Sequence, residues 1–188
     1  MKFESVCVFC GSNFGADPAY LQGARALGSL LAERGIELVY GGGNVGLMGA
    51  VADVVMQSGG HVTGVIPRGL ADRELAHHGI SELHIVDTMH ERKALMAERS
   101  QAFIALPGGM GTFEELLEML TWNQLGIHAK PCGLLNIASY WEPLLTMLDH
   151  AVEQEFYKAK YRASALVARE PETLLARMGQ WVPDQGVH

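Results

Sequence analysis

The chain has 188 residues, of which 48% are hydrophobic and 19% charged, and its formal net charge is −7. This length is sufficient for one domain with a sizeable core, so we expect residues 1–188 to form a single domain. The acidic balance disfavours a nucleic-acid partner, which would usually meet a basic face. No apolar run reaches the roughly 18–20 residues that a membrane-spanning helix needs, so no membrane partner is expected.

The first segment, MKFESVCVFCGS, lacks the layout of a signal peptide and is typical of a first strand. Cys7 and Cys10 form a C-x-x-C pair, which can be a redox pair or half of a zinc site. Residues three apart on a strand face opposite sides, however, and no second C-x-x-C follows. We therefore expect reduced, buried cysteines, no metal site and a cytoplasmic protein.

Strand-like and helix-like runs alternate along the whole chain. After SVCVFC, a helix is predicted from Pro18 to Arg34, with Asp17 as its N-cap and Gly35 just past its end. The predicted strand IELVY runs into the loop GGGNVGLMG and a helix to about Ser58, and the strand HVTGVI follows. The strand LHIVD precedes a helix from about Met89, and the strand AFIAL precedes the loop PGGMGT and its helix. The strand PCGLLN, a helix from about Trp141, the strand SALVAR and a helix from about Pro171 complete the set. The alternation predicts the α/β class, with about seven parallel strands and helices on both faces. Residues 67–82 form the longest irregular segment and are a candidate mobile loop.

Three strand ends are rich in glycine and small polar residues, namely CGSN at 10–13, GGGNVGLMG at 41–49 and PGGMGT at 107–112. Ligands of open parallel sheets bind beyond such ends. Gly41, Gly43 and Gly46 match G-x-G-x-x-G, but no acidic residue follows at the distance of about 20 residues that a dinucleotide site requires, and no G-K-[ST] completes a P-loop. Two alternatives remain for these loops: they bind one phosphate through backbone amides, or they are tight packing turns without a ligand.

Thr112 and Glu115 have the spacing of a capping box, in which their side chains would satisfy the first amides of a helix. A helical wheel predicts a core stripe of Phe113, Leu116, Leu117 and Leu120, and an opposite side of Glu115, Glu118, Met119 and Trp122. Met and Trp on that opposite side indicate a second buried surface, most simply a subunit interface. Glu115 is therefore either a chemical group or only part of a cap.

The segment MHERKALMAERS begins a helix just past the strand LHIVD. Arg92, Met96 and Arg99 share one of its faces, and His90 and Arg92 lie in its first turn. Cations are unfavourable at that end of a helix unless an anion or a carboxylate compensates. Arg92 is thus expected either to serve a ligand site or to pair with a structural carboxylate. His90 has no clustered acidic partner, so we do not expect it to bind a metal.

PGGMGTFEE, MHERK, CGS and GGGNVGLMG together resemble the signature motifs of the LONELY GUY (LOG) family. Its members are cytokinin-activating phosphoribohydrolases that long carried the label of lysine decarboxylases. The resemblance covers nearly the whole chain. It implies a Rossmann-like doubly wound fold, a homodimer with sites near the interface, and hydrolysis of the N-glycosidic bond of a nucleoside 5′-monophosphate to free base and ribose 5-phosphate.

The resemblance also implies roles for individual residues. Arg92 and Glu115 would be the catalytic pair, and the PGGxGT loop would hold the phosphate. The residues expected to bind substrate are Gly108, Gly109, Gly111 and Thr112, helped by Gly42 and Gly43, with Ser12 and Met96 as further contacts to ribose and base. We expect Glu115 to face C1′, where bond cleavage develops positive charge that a carboxylate stabilises. No cofactor or metal is implied.

Three alternatives compete with this function. A nucleotide-sensing module would keep the pocket without chemistry, and a related enzyme would act mainly on AMP. Lysine decarboxylation would need pyridoxal phosphate on a lysine, and of the five lysines only Lys93 lies within one of the motifs.

Overall fold

The computed structural model of the protein describes residues 3–71 and 75–183. Its strands are β1 (Ser5–Phe9), β2 (Glu37–Tyr40), β3 (Val62–Pro67), β4 (Glu82–Val86), β5 (Phe103–Ala105), β6 (Cys132–Leu135) and β7 (Ala165–Ala168). They form one parallel sheet in the order β4-β3-β2-β1-β5-β6-β7. The predicted seven-stranded parallel sheet is confirmed.

Helices connect successive strands, as the alternating pattern predicts. In the described ranges they are α1 (Pro18–Glu33), α2 (Gly46–Gln57), α3 (Arg68–Leu70), α4 (Met89–Glu98), α5 (Met110–Gln124), α6 (Glu142–Glu153), α7 (Ala159–Arg162) and α8 (Pro171–Gln180), with a 3-10 turn at Ile137–Ser139. The candidate mobile loop at 67–82 contains α3, and its residues 72–74 lie outside the described residues. None of the described helices is both long and apolar enough to cross a membrane.

The core consists of two hydrophobic layers, one on each face of the sheet. Helices α1, α2 and α8 cover one face, and α4, α5 and α6 cover the other. Cys10 belongs to the first layer and Cys7 to the second, and both are free thiols, as is the buried Cys132. Burial raises the pKa of all three thiols, that of Cys132 to about 12. The expectation of buried, unbridged cysteines is therefore confirmed.

The ends of α1 and α4 follow from local sequence. The Asp17 side chain accepts a hydrogen bond of 2.8 Å from the Ala19 amide, and Gly35 just past α1 has a φ of +63°, which glycine adopts without strain. The N-terminus of α4 carries a capping box between Thr88 and Glu91, which the sequence reading did not identify. That cap fixes where α4 begins, and hence the height of Arg92 above the sheet.

The sheet winds outward in both directions from β1, which pairs with β2 on one side and β5 on the other. The loops that follow β1, β2 and β5 therefore meet at one edge. The Gly11 amide donates to the Pro107 carbonyl at 3.0 Å, and the Leu47 amide donates to the Gly11 carbonyl at 3.0 Å. These bonds join all three glycine-containing loops at the switch point, where open α/β sheets place their ligands.

Candidate active site

The PGGMGT loop is shorter than the sequence predicts, because α5 begins at Met110 with Gly109 as its N-cap. The capping alternative for Thr112 and Glu115 is therefore wrong. Thr112 lies inside the first turn and caps nothing, and the Glu115 side chain bonds to Arg92 instead. The first amides of α5 have no side-chain cap and lie beside Gly109 and Gly111, where an added Cβ would meet nothing within 4 Å. This helix end is the open part of the site.

Gly108 has a different role from its two neighbours in the loop. A Cβ on Gly108 would fall 2.1 Å from Oγ1 of the buried Thr112, so a side chain at this position would collide with the helix. The Tyr140 hydroxyl also donates a hydrogen bond to the Gly108 carbonyl. Packing thus explains Gly108 and Thr112, whereas nothing in the packing requires glycine at 109 or 111.

A buried ion pair joins α4 to α5 at the same edge of the sheet. Nη1 of Arg92 lies 2.8 Å from Oε1 of Glu115, and the two residues are only 8% and 7% exposed. Arg92 also donates from Nε to the Val65 carbonyl at 3.0 Å and from Nη2 to the Gly41 carbonyl at 3.4 Å. The guanidinium is therefore fixed against the ends of β2 and β3, and one of its donors holds the carboxylate in place.

The surroundings of Glu115 change its acidity. Burial raises the pKa of the Glu115 carboxyl above its ordinary value, and the neighbouring Arg92 opposes that effect without cancelling it. Such a carboxylate can stabilise positive charge and can also accept a proton more readily than an exposed glutamate. Cleavage of a glycosidic bond uses both of these properties of an acidic side chain.

A second ion-pair group lies beside the first. Lys93 is 8% exposed and bonds to Glu114 and, at 3.0 Å, to Glu118 of α5. Burial lowers the pKa of the Lys93 ammonium, but the hydrogen bonds to the two carboxylates outweigh it, so its pKa is raised. Lys93 is therefore held as a cation.

The GGGNVG loop is packed against other protein atoms. An added Cβ would lie 1.9 Å from Nη2 of Arg92 at Gly41 and 2.8 Å from the Met48 side chain at Gly43. Gly46 has a φ of +59°, and its Cβ would fall on the backbone of Ser12. For these three glycines the packing alternative is sufficient. Gly41 in particular provides the space that the Arg92 guanidinium occupies.

Gly42 and Gly43 are buried, unlike Gly109 and Gly111. The His77 amide donates to the Gly42 carbonyl at 2.9 Å, and Gly43 forms an isolated antiparallel bridge with Ala76. The segment that precedes β4 thus covers the second glycine loop. The expected help of Gly42 and Gly43 in phosphate binding stays a prediction.

A cavity of about 160 Å³ lies between the loops that follow β1 and β5. Its walls include Ser12, Phe14, Tyr20, Gly108, Gly109 and Tyr140. Arg92 and Glu115 do not line it; the Arg92 guanidinium bonds instead to Val65 of β3 and to Gly41 just past β2. The three aromatic residues were not predicted. Phe14 follows CGSN directly and could have been considered, whereas Tyr20 and Tyr140 reach the cavity only through the fold.

The remaining predicted residues have different environments. Ser12 is exposed at the cavity, and His90 is exposed at the start of α4. Met96 is 1% exposed and packs in the same hydrophobic layer as Cys7, so it offers no open surface for contact with a base. Within the described ranges, no group of three or more His, Cys, Asp and Glu residues is arranged to hold a metal ion.

The predicted core stripe of α5 is wrong in part. Met119, which we expected on the outer side, is 1% exposed and lies in the core, whereas Leu117 is 38% exposed. Trp122 packs against the same core layer. The buried residues of α5 are Thr112, Glu115, Leu116, Met119 and Leu120. Met119 and Trp122 therefore give no evidence for a subunit interface.

The fold is that of a Rossmann-like α/β protein. Its candidate active site lies where the loops after β1, β2 and β5 meet, and it consists of a glycine loop, a helix N-terminus and a buried guanidinium–carboxylate pair. Residues 48–178 match the family model described as "Possible lysine decarboxylase". The chain is 52% identical over 180 residues to "Probable cytokinin riboside 5′-monophosphate phosphoribohydrolase LOGL1" of Oryza sativa subsp. japonica, covering 96% of this chain and 81% of that protein. It is 49% identical over 182 residues to cytokinin riboside 5′-monophosphate phosphoribohydrolase LOG2 of Arabidopsis thaliana, covering 97% and 85%. The chain belongs to this LOG family, as its motifs predict.

Solved structures share the fold at lower identity. The molybdenum cofactor binding protein of Rippkaea orientalis superposes with a TM-score of 0.70 at 23% identity, over 96% of this chain and 98% of that one. The Moco carrier protein of Chlamydomonas reinhardtii gives a TM-score of 0.69 at 19% identity, over 94% and 95%. At these identities the likeness establishes the Rossmann-like fold alone.

Proposed function

We propose that this protein is a phosphoribohydrolase that cleaves the N-glycosidic bond of cytokinin riboside 5′-monophosphates, and of AMP, to free base and ribose 5-phosphate. The observation that carries the proposal is the buried Arg92–Glu115 pair, 2.8 Å apart, beside the uncapped N-terminus of α5. The function named for relatives about 50% identical over nearly the whole chain supports it.

The proposed mechanism uses the two parts of the site for two tasks. The 5′-phosphate binds at the first amides of α5, where the helix dipole favours an anion and Gly109 and Gly111 leave room for it. Glu115 lies further along the same helix, so it faces the sugar of a nucleotide bound in this way. As the bond between C1′ and the base nitrogen breaks, the carboxylate stabilises the positive charge on the sugar.

Water completes the reaction. Its oxygen bonds to C1′, and its proton is accepted by Glu115 and passed to the departing base, so that no other reactant is consumed. The raised pKa of the Glu115 carboxyl suits this transient protonation. Arg92 holds the carboxylate in one orientation, and its own guanidinium is anchored by hydrogen bonds to the carbonyls of Val65 and Gly41.

The decarboxylase label does not suit the chemistry of Lys93. A lysine that carries pyridoxal phosphate must lose its proton to form an imine. Lys93 is held between Glu114 and Glu118 with its pKa raised, which favours the ammonium form. Glu114 and Glu118 therefore disfavour the formation of an imine on Lys93.

The test is chromatography of free base after incubation with isopentenyladenosine 5′-monophosphate, AMP or the unphosphorylated riboside. We expect base from the monophosphates only, because the riboside lacks the group that the helix end binds. The ratio between the two monophosphates measures the contribution of the prenyl group. Absence of base from all three, with AMP still bound, would favour the sensing module instead.

We also propose that the protein is a cytoplasmic homodimer. Exposed apolar side chains on α4 and α5, at Met89, Met110 and Leu117, support an interface, and the three free thiols support a reducing compartment. Light scattering after size exclusion should give a mass near twice 20.4 kDa. Leu117→Glu should lower that mass, whereas Phe156→Glu, at a side chain that is 91% exposed, serves as the control. A monomeric wild-type protein would refute the dimer.

A further inference from the structure

Two successive residues of α4 contact three carboxylates of α5. Arg92 bonds to Glu115, and Lys93 bonds to Glu114 and Glu118, which are one residue before and three residues after Glu115. Lys93 therefore holds α5 on two successive turns, on the side next to Glu115. A cation attached at two points fixes the rotation of a helix about its axis, which a single bond does not.

Burial makes this contact more consequential than a surface ion pair. The Lys93 side chain is 8% exposed, and that of Glu118 is 23% exposed. Oε2 of Glu118 is buried and has no hydrogen-bond partner among the described residues, whereas Oε1 of the same carboxylate accepts a hydrogen bond from Lys93. Without Lys93, Arg92 would be the one cation of this group, beside the carboxylates of Glu114, Glu115 and Glu118.

We propose that Lys93 is a positioning residue for Glu115, which fixes the orientation of α5 against α4 and neutralises the carboxylates on either side of the catalytic one. The proposal rests on the proposed function for its catalytic consequence. Its structural part, that Lys93 controls the state of Glu115, stands independently of any substrate.

The groups that face Glu115 support this role. Arg92 and Lys93 of α4 both favour its ionised form, and Glu114 disfavours it, while the thiols of Cys7 on β1 and of Cys10 just past β1 are neutral because burial raises their pKa. Loss of Lys93 removes one favourable charge and also leaves Glu114 without its partner. Both changes act in the same direction, toward a protonated Glu115.

The experiment compares the full-length wild type with Lys93→Met, Lys93→Arg and the double variant Lys93→Met/Glu114→Gln. In each protein, the carbon resonance of the Glu115 carboxyl is followed against pH, with its assignment made by Glu115→Gln. The pH dependence of kcat and KM for AMP is measured in parallel. Arg99→Met is the matched control, because Arg99 is the C-cap of α4 and pairs with Glu82 of β4 at 3.3 Å in an exposed site.

We expect Lys93→Met to shift the Glu115 titration and the acid limb of kcat to higher pH, and to lower kcat at least tenfold with a smaller change in KM. Lys93→Arg should keep most of the wild-type kcat and a titration close to that of the wild type. Adding Glu114→Gln to Lys93→Met should move the Glu115 titration back toward that of the wild type. A titration unchanged in Lys93→Met would overturn the proposal. If the titration shifts while no variant, wild type included, releases base, the proposed function fails and the positioning role stands.

Discussion

Replacing Glu115 with glutamine separates chemistry from structure at this site. Glutamine keeps the shape of the side chain and an oxygen that can accept from Arg92, but it removes the charge. A hydrogen bond between charged groups contributes about 1.5–3 kcal/mol, and only part of it is lost here. We therefore expect the free energy of unfolding to fall by about 1–2 kcal/mol, which a domain with about 5–15 kcal/mol tolerates while remaining folded.

Turnover should respond far more strongly than stability. Loss of a charge aimed at the transition state, together with loss of the proton acceptor, typically lowers kcat by about 10²–10⁴-fold, which corresponds to about 3–5 kcal/mol. Release of base from AMP, measured by chromatography under saturation, gives kcat, and urea unfolding gives the stability change. Glu98→Gln, at an exposed position of α4, is the control and should change neither.

The reasoning would be refuted by a Glu115→Gln variant that is folded and retains kcat within about threefold of the wild type. That result would leave the Arg92–Glu115 pair as a structural link between two helices. AMP binding by calorimetry should survive the substitution, because the proposed phosphate contacts lie in the first turn of α5, ahead of Glu115.

Three further outcomes follow from the same geometry. Burial raises the pKa of the Glu115 carboxyl above 4.5, so kcat should fall as the pH is lowered through that raised pKa, which a pH–rate profile checks. Because the pKa is higher in the folded than in the unfolded state, the free energy of unfolding should fall as the pH rises from the unfolded pKa to the folded one, which urea titrations at several pH values check. Gly41→Ala should lower both kcat and stability, since the new Cβ would displace the Arg92 guanidinium and leave the buried Glu115 carboxylate without its partner. Kinetics measure the first effect and thermal unfolding the second, and a variant with the kcat of the wild type would contradict the role of the pair. Gly111→Ala should raise stability by about 0.5–1 kcal/mol, because alanine is favoured inside a helix, yet should raise KM for AMP; a KM equal to that of the wild type would contradict phosphate binding at this turn.

Sequence reasoning located the elements of the fold well, because strand and helix runs alternate with clear caps and glycine stops. The N-cap Asp17 and the end of α1 before Gly35 are local features, and local chemistry determines them. The same reasoning misplaced the start of α5. It considered Thr112 as a possible N-cap, since threonine has a capping oxygen, but Gly109 is the N-cap and the Thr112 side chain packs against Gly108.

The orientation of α5 could not be read from its own residues. The helical wheel assigns Glu115 and Met119 to a second surface opposite the core stripe, whereas the structure buries both within the chain. The cause lies 23 residues earlier in the chain, in Arg92, whose buried guanidinium compensates the carboxylate. The pairing of Arg92 with a carboxylate was foreseen as an alternative, but its partner and its fixed contacts with Val65 and Gly41 depend on the fold.

The position of α4 in the topology has a consequence for how the protein moves. This helix leads from β4, the partly exposed outermost strand of one half of the sheet, back to β5 near the centre. Arg92 thus ties the ends of β2 and β3 to Glu115 on the opposite side of the switch point. A fluctuation that carries α4 away from the sheet together with β4 would draw the guanidinium from the carboxylate and admit water to it. Amide hydrogen exchange at α4 and β4 then measures how often the pair opens.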